Sequence, residues 1–370
     1  MNANLHVLHI TEASSAGVLN AAGSLAKHQS TRAATVTFAY IPRADTPGRD
    51  ELTRIVGAAR LVEFGDATLN TVARLRLLRS RIKDAIATGA FDVIHAHSSL
   101  AGFALRTLSG RARRQVVTCY SPHGFAFLRQ DVGPVVRSTF LLAERLCGNR
   151  AALIAVSPSE SKIARDSLKV DAYVLPNSGD VPAGHRDPKR GAPIRVGMVG
   201  RVTYAKAPWR FAAAARRFSD RAEFVWVGSG DPAEREKWLG DAPVEITGWL
   251  EGDSLVNELE DLDILYYPTL WEGMPLSLIN AQLLGIPVVA TDIVGNRDVV
   301  IDGETGILAN SEDSLHSALG DLIDNANLRE KLGRAASVRA SERFDPELRA
   351  DQSFDIYASI RRQQQAQRDR

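Results

Sequence analysis

The chain has 370 residues, with 45 Lys and Arg against 44 Asp and Glu, 45% hydrophobic residues and two cysteines. These values exclude a disordered chain, a fibrous repeat and a disulfide-stapled mini-protein, and the length points to two domains. The near-zero total hides an asymmetry: residues 1–187 carry 23 basic against 15 acidic side chains, and residues 188–370 carry 22 against 29. A basic first half predicts an anionic partner such as phosphate or an acidic membrane surface.

Short apolar runs alternate with helical patterns along the chain. Val7–Ile10, Thr35–Tyr40, Leu61–Phe64, Val93–His95, Val116–Thr118, Leu153–Val156 and Tyr173–Leu175 read as strands. They are β-rich and not alternating, as parallel strands covered on both faces are. Leu69–Thr88, Gly133–Gly148 and Glu160–Lys169 read as helices between them. Asn177–Pro193, rich in Pro, Gly and charge, reads as a linker, with the break itself at 181–193. The rhythm then restarts with strands at Arg195–Gly200, Phe224–Gly228, Val244–Thr247, Ile264–Pro268 and Val288–Ala290, and 346–370 forms a polar helical tail. The expected architecture is α/β: two Rossmann-like doubly wound domains, 1–180 and 194–345, facing a cleft, with the tail packing back on the first. Cys119 and Cys147 match no metal or redox spacing, so a reducing compartment is expected. No run approaches the ~18 apolar residues of a spanning helix, and the start lacks secretory-signal features. The expected location is cytoplasmic, with peripheral contact at the inner face of the membrane.

Chemistry concentrates in Tyr266–Val300. A strand ends near Pro268, a loop carries Glu272 and Gly273, and Pro275 fits the first position of a helix. The N–H groups of Gly273, Met274, Leu276 and Ser277 then lack intrahelical acceptors and form a cradle for phosphate. Glu272 can accept hydrogen bonds from a polyhydroxylated ligand; the plainer alternative is a capped core helix beside a solvated Glu. In Val196–Pro208, a strand ends at Gly200-Arg201 and Lys206 follows, two cations suited to a diphosphate or, alternatively, an ordinary surface pair. His123, in TCYSPHGF, follows a strand and precedes Gly124, placed to bond a substrate hydroxyl or to serve structure alone. His95 and His97 lack a third partner at metal-binding spacing, so no metal site is expected. Ala16 and Gly17 open a helix after the first strand, where an anion could approach at Gly17 or the turn simply connects the two elements. Asp261-Leu262-Asp263 has the spacing of a metal–nucleotide motif but reads better as a helix end, and Gly228-Ser229-Gly230 is a weak dinucleotide pattern.

Taken together, VLHITEASSAGV, HAHSS, YSPHGF, IAVSPSE, VLPNS, GRVTYAK, VGSGD, ITGW, the Asp263–Thr291 stretch, GNRDVV and DGETGIL resemble glycosyltransferase family 4, retaining enzymes of the GT-B fold. The resemblance implies a nucleotide-diphosphosugar donor on the C-terminal domain and an acceptor on the N-terminal one. It assigns Arg201 and Lys206 to the diphosphate, Gly273–Leu276 to a phosphate-facing loop, Glu272 to the donor sugar and His123 to the neighbourhood of the anomeric centre. Transfer would proceed with retention, assisted by the leaving phosphate, with no metal or other cofactor. Three positions depart from the family pattern: Asn280 replaces the second motif Glu, Ala16-Gly17 a Gly-Gly, and Asn177-Ser178 an Asn-Gly. At Asn280 a charge-assisted bond to the donor ribose is lost.

The basic helix pattern of Leu69–Ile86, with Arg74, Arg76, Arg79, Arg81 and Lys83, adds an expected contact with an anionic leaflet or, alternatively, a solvated face. The resulting expectation is a hexosyltransferase using a UDP-sugar and a lipid-linked or oligosaccharide acceptor in surface-polysaccharide assembly, with no nucleic-acid partner. Its rivals are a non-catalytic GT-B subunit binding a partner transferase or membrane, and a nucleotide-sugar epimerase or hydrolase.

Overall fold

A computed structural model describes residues 5–32, 34–184 and 193–368. The chain divides into two compact units: Met1–Leu128 with Val132–Ser178 and Pro346–Arg370, and Gly179–Asp345 with Arg129–Asp131. Most of the predicted linker, residues 185–192, lies outside the described residues.

The first unit holds β1 (His6–Thr11), β2 (Thr35–Tyr40), β3 (Arg60–Glu63), β4 (Val93–His97), β5 (Val117–Ser121), β6 (Ala152–Ala155) and β7 (Ala172–Val174). They form one parallel sheet in the order β3-β2-β1-β4-β5-β6-β7. Every residue of β4 and β5 is buried, whereas the edge strands β3 and β7 contain none that is. That contrast fits central strands covered by helices on both faces, where even the polar His95, His97, Thr118 and Ser121 are buried. The C-terminal helix Pro346–Arg368 belongs to this unit. Its Phe354, Tyr357 and Ile360 are buried in one cluster with Val7, Phe38, Val93, Val117 and Ile154.

The second unit holds β8 (Ile194–Val199), β9 (Ala222–Val227), β10 (Val244–Gly248), β11 (Ile264–Tyr267), β12 (Val288–Thr291) and β13 (Ile307–Ala309). Its parallel sheet runs β10-β9-β8-β11-β12-β13. Each predicted strand has its counterpart, and β13, three residues long, was not predicted. Asp261 follows the helix Gly252–Glu260 as its C-cap, and the Asp263 carboxylate accepts the Arg195 N–H at 3.0 Å. Both therefore serve the start of β8 and β11, at the sheet edge away from the loops that follow those strands.

Candidate functional site

In each sheet the chain reverses direction of winding between two adjacent strands, β1 and β4 in the first, β8 and β11 in the second. Ligands of doubly wound sheets sit beyond the carboxyl ends of the strands at such points. The predicted residues cluster there, in each unit separately.

In the second unit, Gly200 and Gly228 close β8 and β9 with φ of 139° and 142°, a region that a side chain strains. A Cβ on Gly228 would stand 2.2 Å from the Gly200 carbonyl oxygen, so the two loops meet backbone to backbone. Beyond Gly200 and Arg201, the short turn Tyr204–Lys206 brings Lys206 back toward the end of β11. Its Nζ donates to Glu272 Oε1 at 2.7 Å and to the Tyr267 hydroxyl, which itself donates to Glu272 Oε1 at 3.1 Å. The Lys206 and Glu272 side chains are 17% and 14% exposed. Burial is the largest influence on Lys206 and lowers its pKa, but the Glu272 carboxylate and Tyr267 outweigh it and hold the ammonium above its ordinary range. Burial first, and then Glu272, push the Tyr267 phenol up. At neutral pH the trio is therefore an ion pair bridged by a neutral hydroxyl. Sequence reasoning found Lys206 and Glu272 as separate contacts and missed both their pairing and Tyr267, which reads as an ordinary strand residue.

The loop carrying Glu272 and Gly273 leads into the helix Leu276–Leu283. Pro275 is its N-cap, at φ −73° and ψ 123°, one position earlier than predicted, and its carbonyl accepts from Leu278 and Ile279. The physical reason is that the extended ψ of Pro275 starts the helical turn one residue later. Leu276 and Ser277 open the helix, where N–H groups have no carbonyl within it to bond. The Ser277 hydroxyl donates to the Val199 carbonyl at 3.3 Å, tying this end to β8. Met274 is buried beneath the loop, and Asn280 is half-buried. A Cβ on Gly179 would stand 2.9 Å from Asn280 Oδ1, so the amide lies against that glycine's backbone. Two supports escaped sequence reasoning. Gly295, at φ 90°, approaches so closely that a Cβ there would be 2.6 Å from the Gly273 carbonyl oxygen, and buried Asn296 donates to Thr291 O and Thr269 Oγ1.

In the first unit, Gly17 lies in the opening turn of the helix Ala16–Ser30, with no atom within 4 Å of where its Cβ would be. The Glu12 carboxylate, just after β1, accepts from Ser98 Oγ, Leu100 N and Ala101 N. It thereby holds the start of the helix Ser99–Arg106. His123 follows β5 with a left-handed φ of 54° and is succeeded by Gly124 at 100°. Non-glycine residues adopt this conformation at a cost, met here by Glu160, whose carboxylate accepts from Gly124 N and Val156 N, each at 2.7 Å. His123 Nε2 lies 2.9 Å from His97 Nδ1, while His123 Nδ1 is buried without a hydrogen-bond partner among the described residues.

His95 and His97 do acquire a third histidine, contrary to the sequence reading. Pairing of β1 with β4 places His9 opposite His95, and one ligand atom from each of His9, His95 and His97 falls within 4.8 Å of the others. Both nitrogens of each ring are already hydrogen-bonded: His9 to His97 and Gln29, His95 to Tyr357 and Ser121, His97 to His9 and His123. A cation would have to displace these bonds. Burial drives all four histidines acidward, His9 and His123 to about 4, and leaves the rings neutral.

Comparison with known proteins agrees with this division. Residues 16–181 match the model described as Glycosyltransferase Family 4, and residues 193–325 the one described as Glycosyl transferases group 1. A relative from Escherichia coli, named UDP-Gal:alpha-D-GlcNAc-diphosphoundecaprenol alpha-1,3-galactosyltransferase, is 29% identical over 303 residues, covering 73% of this chain and 76% of its own. Sucrose-phosphate synthase from Thermosynechococcus elongatus superposes with a TM-score of 0.78 at 18% identity, covering 96% of this chain and 99% of its own. Anabaena Alr3699/HepE, solved in complex with UDP and glucose, gives 0.76 at 18% identity over 95% and 99%. The two sheets, the residues gathered at their carboxyl ends and these matches agree: the chain belongs to the family 4 glycosyltransferases of the GT-B fold and is a hexosyltransferase-type enzyme.

Proposed function

We propose that the chain transfers a hexose from a UDP-sugar, with retention of anomeric configuration, to a lipid-linked or oligosaccharide acceptor in surface-polysaccharide assembly. The observation that carries this reading is the Lys206–Glu272–Tyr267 cluster beside the opening turn of the helix Leu276–Leu283. Lys206 supplies positive charge for a diphosphate and Arg201, in the same loop, a planar guanidinium. The helix end adds N–H donors and a favourable dipole for phosphate. Glu272, held by two donors, keeps lone pairs to accept from sugar hydroxyls. The UDP donor is supported by HepE having been solved with UDP and glucose, and the lipid-linked acceptor by the printed name of the E. coli relative. His123 stands on the acceptor-side unit as the group addressing the transferred sugar, and the reaction needs no bound metal.

The test is to incubate the protein with α-linked UDP-sugars and an undecaprenyl-diphosphate-linked sugar, with and without EDTA, and read the product's anomeric proton by NMR. An α-linked product, formed equally in EDTA, is the expected result; a β-linked product contradicts retention.

We also propose peripheral contact with an anionic bilayer through the first unit. Part of the predicted basic surface is engaged within the protein. Arg74 donates to the carbonyls of Leu69, Pro42 and Ala67, Arg79 to the Thr107 hydroxyl, and Arg81 lies over the Phe64 ring. Support comes instead from the helix Pro134–Cys147, where Val135, Leu142 and Leu146 are 75%, 56% and 67% exposed. Their spacing of seven and four residues sets them on one face, and Arg145 and Arg150 are exposed nearby in sequence. Co-sedimentation with vesicles containing phosphatidylglycerol, absent with pure phosphatidylcholine and lost in Leu142→Asp/Leu146→Asp, is expected. Unchanged sedimentation of that variant contradicts the assignment.

A further inference from the structure

Ring nitrogens, an amide and three hydroxyls in the first unit form one continuous chain of hydrogen bonds, and its direction follows from its fixed end. The Ile154 carbonyl can only accept, and it takes the Ser121 hydroxyl proton at 2.8 Å. Ser121 Oγ must then accept from His95 Nε2, also at 2.8 Å. A neutral imidazole carries one proton, so His95 Nδ1 is bare and accepts from the Tyr357 hydroxyl at 2.9 Å. The Tyr357 oxygen in turn accepts from Gln29 Nε2 at 3.3 Å.

A second anchor orients the same amide. Ser353 Oγ donates to the Ala350 carbonyl at 2.6 Å and so accepts from Gln29 Nε2 at 2.7 Å. Both anchors place the amide nitrogen toward the C-terminal helix and leave Gln29 Oε1 facing His9 Nε2 at 2.8 Å. From there each step is forced. His9 Nε2 carries the proton, so His9 Nδ1 accepts from His97 Nε2 at 2.8 Å. His97 Nδ1 then accepts from His123 Nε2 at 2.9 Å. The last atom of the series, His123 Nδ1, holds a lone pair and has no partner among the described residues.

We propose that this chain sets the tautomer of His123, presenting Nδ1 as a hydrogen-bond acceptor for a substrate hydroxyl, and that Gln29, His9 and His97 are positioning residues that act through it. The fixed tautomer follows from the hydrogen bonds alone; the hydroxyl it receives rests on the proposed glycosyl transfer. Such a chain has a physical requirement: each ring must offer one donor and one acceptor, so all must be neutral. Gln29 and His9 are fully buried, and His97 is 1% exposed, so water offers no alternative partner. The C-terminal helix thereby bears on the site, because Tyr357 and Ser353 orient the amide from which the rings take their direction.

The test reads the tautomer directly. In a long-range proton–nitrogen NMR spectrum of the full-length protein without substrate, His123 should show a protonated Nε2 and a bare Nδ1. A proton on Nδ1, or a doubly protonated ring, at neutral pH overturns the proposal. This result requires no activity, so its failure is separate from failure of the glycosyltransferase reading. Gln29→Met, close in volume and without an acceptor for His9, frees the chain to reverse. It should convert the His123 signals to a mixture of tautomers and lower kcat about tenfold, the scale of one neutral hydrogen bond, with the donor KM nearly unchanged. Tyr357→Phe leaves the Ser353 anchor and should preserve the wild-type tautomer even where stability falls. An unchanged His123 tautomer and kcat in folded Gln29→Met would show that the chain is packing only. Equimolar zinc chloride should leave the His9 and His97 nitrogen signals in place; their loss would mark a metal site and likewise overturn the relay.

Discussion

Lys206→Ala should lower kcat/KM for the sugar nucleotide by about a hundred- to a thousandfold, with nucleoside-diphosphate affinity falling in step. The size follows from what the substitution leaves behind. Removing one member of a largely buried, hydrogen-bonded charge pair costs about 2–5 kcal/mol, much of it from stranding the other charge. Here the stranded charge is Glu272, 14% exposed and bonded otherwise by the Tyr267 hydroxyl. Glu272→Ala should be similarly severe in kcat. The double variant should be far less impaired than the product of the single effects, because the pair acts as a unit. Strictly multiplicative effects in that cycle would mean the two residues serve independently, contrary to the geometry.

The second large effect is expected on acidification. In the folded first unit His9 and His123 titrate at about 4, burial being the main cause in each, and His95 and His97 are displaced in the same direction. Unfolded, all four titrate near the ordinary histidine value of about 6.5. Below that pH the unfolded chain binds more protons, so stability is complete above about pH 6.5 and is lost progressively toward pH 4. By about pH 5 the shifts of His9 and His123 correspond to roughly 2 kcal/mol each, a large part of a typical domain's 5–15 kcal/mol. Glu12, raised by burial, works the other way, since protonation suits its folded environment, and offsets part of the loss. Calorimetric scans should therefore show the melting of the first unit falling steeply between about pH 6.5 and pH 5. His9→Gln/His97→Gln should flatten that dependence. A melting temperature constant over this range contradicts the neutral buried cluster.

Much of this was legible in sequence, and the failures share one cause. The central strands declared themselves because burial on both faces leaves unbroken apolar runs, as in Val288–Thr291. β13 stayed hidden because three residues between turns carry no period. Lys206, Glu272 and His123 were found from local context: strand ends, a proline before a helix, a glycine after a histidine. Their partners were not. Lys206 and Glu272 lie 66 residues apart, and His9 and His97 lie 88 apart. Each meets its partner only because β8 neighbours β11 and β1 neighbours β4. Strand order is a property of the whole sheet, and no local pattern encodes it. In the basic stretch 74–83, charge counting likewise cannot see that Arg74 is anchored to three carbonyls and Arg79 to Thr107, while Arg76, Arg81 and Lys83 stay exposed.

The most direct measurement of the central claim is thermal stability of the wild type and of Lys206→Ala with UDP, GDP and ADP. A nucleotide present at 100 times its dissociation constant stabilises the folded protein by about 2.7 kcal/mol. The account predicts a clear rise in melting temperature with UDP for the wild type and little or none for Lys206→Ala. An equal rise in both proteins, or no rise in the wild type at millimolar UDP, would contradict it.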